Sequence, residues 1–196
     1  MSLSDEQIER YSRQILLPEV GGVGQERLLG ATVALRGTGR VAGICGEYLA
    51  GAGIGRIAVE PGSGLLDRLR GRNPDSRVTE QAPERVDVMV EIGSPRERRS
   101  RPAAARVLCA AASGGRCVRV LFEPGRACAE CLRASIPGSG EPARPEAEVV
   151  LGALVAAEVL RVLLGIGQAA ETTILTIDLD GTAIATAPLP CPHAHP

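Results

Sequence analysis

The chain has 196 residues, enough for one domain with a real core. With 44% hydrophobic residues, 23% charged residues and a formal net charge of −1, it has no overall basic character to draw in nucleic acid or an anionic membrane. Only 2% of the residues are aromatic (Phe122, Tyr11 and Tyr48, no Trp), which excludes the stacking platforms of single-strand binders, and all 22 basic residues are Arg, which excludes Schiff bases, a P-loop lysine and a lysine general base.

In chain order, Ser4 with the acids at 5 and 6 reads as a helix start, and Ile8, Tyr11 and Ile15 fall at helical spacing, so a helix is expected over residues 4–15. The MSLSDEQIERYSRQ start lacks the cationic and apolar pattern of a signal peptide, and no run reaches the roughly 18 apolar residues of a membrane span. A cytoplasmic location is expected. GGVGQERLLG is a turn with a short helix in its QERLL part; ATVALRG is a strand ending in glycines, VAGICGEYLAGAG a helix and GRIAVEPG a buried strand. That order is a βαβ unit over residues 31–61 and implies a parallel sheet.

The polar stretch that follows carries a short helix on Leu65, Leu66 and Leu69 and a turn at Asn73-Pro74; RVDVMVEIG is a third strand. A fourth strand is expected around Val107, and CVRVLFEPG is a strand with Val118, Val120 and Phe122 alternating. ASIPGSGEPARPEAE reads as a crossover loop, residues 149–165 as an apolar helix packed in the core or against a partner, and TTILTIDLDGTAIATAPL as a hairpin around Asp180-Gly181.

Two constellations point to chemistry. Gly37-Thr-Gly39-Arg40-Val-Ala is a G-x-G-x-x-A turn between strand and helix, with Glu60 closing the next strand. Such glycines let the backbone approach a phosphate at the helix N-terminus while the acid accepts from a ribose hydroxyl; NAD, FAD and ATP all remain open, as does a turn that serves packing alone. Cys128-Ala-Glu-Cys131 is a C-x2-C knuckle, and Cys191-Pro-His193-Ala-His195 offers a third thiolate and an imidazole. Four such ligands make a closed structural zinc site, with either His195 or His193 as the fourth and the spacing giving His195 more room. Cys45, Cys109 and Cys117 fall on apolar elements, and with both histidines in the last four residues none has a base to activate it. RERRSR, residues 96–101, reads as a solvated face, and Asp87 and Glu91, alternating on one strand, do not make an acid/base pair.

Taken together, RYSRQILLPEVGGVGQERL, LRGTGRVAGICGEYLAGAGIGRIAV, LFEPGRACAECLRASIPG, VVLGALVAAEVLRVLLG and the final CPHAH resemble the ThiF/MoeB branch of ubiquitin-activating-type enzymes over nearly the whole chain. The resemblance implies a single domain, residues 1–196. It divides into a helical arm (1–30), a nucleotide-fold core (31–127) and a segment (128–196) carrying the zinc knuckle, crossover loop, interface helix and hairpin. Its fold class is a Rossmann-like, mostly parallel sheet with flanking helices, a C-terminal antiparallel hairpin and a zinc knuckle. The resemblance also implies a dimer that uses ATP to adenylate the C-terminal glycine of a ubiquitin-like sulfur carrier.

Carried over residue by residue, Arg13 stands where the family's arginine reaches a nucleotide phosphate across the dimer. Gly37 and Gly39 match the first glycines, and Glu60 replaces the usual ribose-binding Asp. Arg40 stands where the family has glycine, the Asn-Leu-x-Arg-Gln segment and its following lysine are missing after Glu60, and the magnesium-binding Asp aligns near Ser94. No residue is therefore assigned a catalytic role. The expectation is a degenerate, non-adenylating member that keeps the scaffold and the zinc. It would act with a ubiquitin-like sulfur carrier or an active homologue in sulfur transfer for a cofactor or natural product, as a homo- or heterodimer. Two alternatives are an active adenylyltransferase in which Arg40, Arg68, Arg70 or Arg72 supplies the missing charge, and an NAD-binding oxidoreductase.

Overall fold

The computed structural model describes residues 3–93, 103–122, 129–136, 141–167 and 172–189. Its frame is an eight-stranded sheet in the order β3-β2-β1-β4-β5-β6-β7-β8. β1 (Thr32–Arg36), β2 (Arg56–Val59), β3 (Arg77–Thr79), β4 (Arg85–Ile92) and β5 (Ala103–Ser113) pair in parallel; β6 (Arg116–Phe122), β7 (Thr173–Asp178) and β8 (Ala183–Pro188) continue it antiparallel. The expected Rossmann-like, mostly parallel sheet with a C-terminal hairpin is what the chain forms.

Period-two alternation sorts the sheet residues into two layers. Val33, Leu35, Ile57, Val88, Val90, Leu108 and Leu121 join one core with helices α4 (Gly39–Gly51) and α7 (Pro145–Leu164), while Ala34, Met89, Val107, Cys109, Val120 and Phe122 join the other with Leu132, Ile136 and Leu189. Helix α7 is core rather than open surface along one stripe, where Ala147, Leu151, Val155, Ala156 and Val159 are buried. It starts at Pro145, inside the stretch read as crossover loop, because proline at the first turn lacks only an N–H the helix would leave unused. Arg40 of α4 meets Glu148 of α7 and Ile44 meets Gly152, so the two helices run side by side in the same sense. A Cβ at position 152 would sit 2.8 Å from Cβ of Ile44, so glycine sets that spacing.

Three further differences from the sequence reading have local causes. The helix expected over 4–15 is two pieces, α1 (Asp5–Arg10) and α2 (Ser12–Ile15), parted at Tyr11, whose side chain turns into the protein. The Ser4 start holds: its hydroxyl accepts from the Gln7 N–H and the Gln7 side chain returns to the Ser4 N–H, a capping box. The QERLL helix is the second half of α3 (Gly21–Gly30). β3 lies in what reads as a polar loop, since three residues with two of them polar give alternation nothing to work on. The short helix on Leu65, Leu66 and Leu69 is α5 (Leu65–Leu69), and α6 spans Ala129–Ser135. Among the described residues no helix is long and apolar enough to cross a membrane.

Candidate functional site

β1 lies between β2 and β4, so the glycine turn that follows it sits where the strand order reverses, the position at which open α/β sheets hold ligands. Gly37 is in the left-handed half of the backbone map (φ +127°), and a Cβ there would lie 2.7 Å from Cβ of Ile92 at the end of β4; Gly39 (φ +79°) is left-handed too, with open space around it. The turn therefore needs glycine twice, once for a neighbouring strand and once for conformation. Thr38 caps α4 without a side-chain bond to its N-terminal N–H groups.

The groups around the turn are mostly spoken for. The Gly37 N–H donates to Oε2 of Glu60 at 2.7 Å, so the carboxylate read as a ribose acceptor ties β2 to the turn itself. Arg40 is half exposed, and its Nε lies 3.8 Å from Oε2 of Glu148, held along α7 rather than over the turn. Arg68 and Arg72 meet on Glu47, at 3.1 and 3.0 Å. A hydrogen bond from Arg68 and the charges of both guanidiniums hold the Glu47 carboxyl below its ordinary range, against a smaller upward push from burial. The Arg68 guanidinium lies so close to Gly43 that any side chain there would displace it.

Beside the turn, residues 80–84 link β3 to β4 over the small side chains of Ala34 and Ala58, leaving a cleft of about 530 Å3. Glu60, Glu80 and Glu84 line it with one cation, Arg36. Glu80 also accepts from the Gly62 N–H at 3.1 Å. Three carboxylates against one guanidinium give this cleft a field that disfavours a polyphosphate. Glu80 and Glu84 escape sequence reasoning because their place depends on β3, which is too short to show a pattern.

No protein-family model matches the chain. Among characterised proteins it is 43% identical over 65 residues to the heterocyst protein HesA of Trichormus variabilis, covering 33% of this chain and 24% of that one. It is 48% identical over 58 residues to the adenylyltransferase and sulfurtransferase MOCS3 of Bos taurus, covering 30% and 13%. To the sulfur carrier protein adenylyltransferase of Thermus thermophilus it is 44% identical over 59 residues, covering 30% and 22%. The matched segments thus span a quarter or less of these relatives. In fold, it resembles E. coli MccB solved with ATP (TM-score 0.69, 18% identity, 92% of this chain and 71% of that one) and PaaA (TM-score 0.66, 16% identity, 96% and 75%). These similarities support the resemblance to the ThiF/MoeB family over about a third of the sequence, and the fold likeness extends over nearly the whole chain.

Against that family's pattern the remaining residues fall as follows. Arg13 is exposed on α2, in an arm fastened to the far end of α4: Tyr11 is buried against Gly53, and Gln25 donates to the Ala52 carbonyl at 3.0 Å. A helix of 13 residues puts that end roughly 18 Å from Gly39. Arg13 and the glycine turn of one chain are therefore not brought together. Of the expected zinc ligands, Cys128, Cys191, His193 and His195 lie outside the described residues, as do Ser94 and residues 96–101. Cys131 is described and buried on α6. Leu189, two residues before Cys191, packs in one cluster with Leu132 and Ile136, so β8 delivers the chain to the side of the sheet where Cys131 sits. Among the described residues no group of three His, Cys, Asp or Glu side chains is arranged to hold a metal.

Cys45 is wholly buried, which pushes its thiol up to about 12, and burial raises Cys117 as well; both behave as small core residues, Cys117 donating to the Ala147 carbonyl at 3.2 Å. Asp87 accepts from the Thr32 N–H at 2.8 Å, and Glu91 is buried with Cys109 of β5 at 3.6 Å.

Proposed function

We propose that the chain is a non-adenylating ThiF/MoeB-type protein that works by binding other proteins, a ubiquitin-like sulfur carrier or an active homologue, in sulfur transfer. The observation that carries this reading is the bond from the Gly37 N–H to Glu60 in a cleft that also holds Glu80 and Glu84. Acyl-adenylate formation depends on positive charge aimed at the phosphates, and here Arg40, Arg68 and Arg72 lean on Glu148 and Glu47 instead. A partner-binding role fits the surface. Ile44, Tyr48, Val149 and Leu160 line an apolar groove of about 580 Å3 beside the arm, with Tyr48 and Val149 well exposed, and a dimer through it would carry each Arg13 toward the other protomer.

Structural zinc belongs to the same proposal. Cys128, Cys131 and Cys191 with His195 or His193 would hold it, fixing the chain end against α6, and the shared cluster of Leu189 with Leu132 and Ile136 favours that closure.

Calorimetric titration of the zinc-loaded protein with magnesium-ATP, with NAD as the control ligand, tests the reading. No heat with either nucleotide is expected. Micromolar ATP binding would overturn it and make pyrophosphate exchange the next assay, while NAD binding alone would point to an oxidoreductase.

A further inference from the structure

Helices cover one face of the β3-β2-β1 half of the sheet, where Val33, Leu35, Ile57 and Val59 share a core with α4 and α5. The opposite face of these strands carries Thr32, Ala34, Arg56, Ala58, Arg77 and Thr79, and no residue of β2 or β3 joins the cluster that α6 closes further along the sheet. The cause is the length of one connection. β3 and β4 run parallel with β2 and β1 between them, and residues 80–84 make a crossing for which a dozen or more residues with a helix are usual. Five residues span three strand spacings, about 14 Å, only as an extended strap. Ala34 and Ala58 lie under it, and the rest of this face is open among the described residues.

Charge divides the open face along the strands. β2 and β3 both begin on arginine, and the register sets Arg56 directly beside Arg77 on strands about 4.8 Å apart, at the N-terminal end of the face. Like charges so placed repel, and neither guanidinium has a hydrogen bond or ion pair among the described residues. Asp87 of β4, beyond Thr32 in the same row, is turned to the Thr32 N–H at 2.8 Å. About 13 Å further along β2, at the C-terminal end, the cleft gathers Glu60, Glu80 and Glu84 against Arg36. A wholly basic or wholly acidic partner would satisfy one end and be repelled by the other. A second copy satisfies both, because a half-turn about an axis lying in the face, across the strands, lays each end on its opposite. We propose that this face pairs with itself in a second copy of the chain, Arg56 and Arg77 of each copy meeting Glu80 and Glu84 of the other. The contact is separate from the apolar groove beside the arm and stands whether or not the chain binds a carrier. The patch measures about 14 by 17 Å, far below the roughly 800 Å2 that a lasting dimer buries on each partner, so the pairing is weak and held by charge.

Sedimentation equilibrium of the full chain at about 0.05 M and about 0.5 M salt tests this, with two charge-reversed double variants, Arg56→Glu with Arg77→Glu and Glu80→Arg with Glu84→Arg. Expected for wild type is self-association at low salt that weakens about tenfold or more at high salt, where the screening length falls below about 5 Å. Each double variant presents one sign at both ends and should lose that association, while an equimolar mixture of the two should regain it. Thermal melts read by circular dichroism verify that the variants fold, and the salt series on wild type needs no variant. Wild type that associates no more than the variants, or that associates equally at both salt concentrations, overturns the proposal. Association that both variants keep belongs to the apolar groove and overturns it too. A mixture of folded variants that stays apart shows that the two ends do not meet, and overturns self-pairing in favour of a different partner on this face.

Discussion

The two ends of helix α4 are built to different standards. At its C-terminal end the polar groups of three elements close on one another. Tyr11 hydroxyl donates to Asp75 at 2.9 Å, Asn73 donates to Tyr11 at 2.9 Å and to the Ala50 carbonyl at 2.7 Å, and Gln7 and Arg10 reach Asp75 at 3.0 and 2.5 Å. At its N-terminal end, where a nucleotide would sit, Glu60 takes the Gly37 N–H and Arg40, Arg68 and Arg72 pair with Glu148 and Glu47. The contrast teaches that a closed polar network fastens the N-terminal arm, while the non-adenylating reading proposed above rests on how the glycine turn is tied to Glu60.

The largest effect is expected from Tyr11→Ala. The side chain is 1% exposed, and its loss leaves a cavity beside Gly53 and deprives Asn73 of an acceptor. Denaturant unfolding should show a loss of about 3–5 kcal/mol, and limited proteolysis should cut the arm before the body. Tyr11→Phe isolates the hydroxyl and should cost about 1–2 kcal/mol. An arm that stays protected in Tyr11→Ala would mean the two ends do not differ as described.

Gly37→Ala comes next. A methyl group there meets Ile92, and the left-handed backbone disfavours any side chain, so about 1–3 kcal/mol of stability should go. Gly39→Ala, with open space around it, should cost less than Gly37→Ala, and equal losses would show that conformation alone, not the contact with β4, demands glycine.

How far the sequence could be read follows the same division. β1, α4 and β2 are legible because long periodic segments with glycine punctuation leave little choice, and Ser4 with Gln7 signals its own capping box. β3 is not, since three residues carry no period, and without it the acidic cleft formed by the link to β4 is invisible. The glycine turn is plain in the sequence, but whether Glu60 faces a ribose or the turn is a matter of side-chain placement. Likewise Arg68 and Arg72 read as spare positive charge until Glu47, some 20 residues earlier, is seen to take both.

A pH titration presses on the tight end again, with a smaller effect. Burial pushes the Asp75 carboxyl up, but hydrogen bonds from Gln7, Tyr11 and Arg10 outweigh it and hold the group below its ordinary range. A carboxyl lowered in the folded state adds stability that is complete above its unfolded pKa of about 3.9 and is lost as pH falls through the folded value. Stability should therefore be flat from neutral pH to about 5 and drop in more acid solution. Glu47, lowered by Arg68, and Asp178, lowered by the Gly181 and Asp180 N–H groups, act in the same direction. Asp75→Asn should flatten part of the acid limb, and an unchanged limb would place the acid sensitivity elsewhere.

The smallest effect is expected from Arg40→Gly, which restores the family's residue at the turn. Its side chain is 54% exposed and its Nε lies 3.8 Å from Glu148, a geometry in which an ion pair is worth under about 1 kcal/mol, so unfolding should hardly change. If Arg40 alone were what kept phosphate from the turn, the variant should gain magnesium-ATP binding. The bond between Glu60 and the Gly37 N–H predicts that it does not, because that carboxylate and its neighbours Glu80 and Glu84 remain. Adding Glu60→Gln to Arg40→Gly separates the two causes: affinity that appears only in the double variant assigns the lapse to the acidic cleft, and affinity in Arg40→Gly alone assigns it to the arginine.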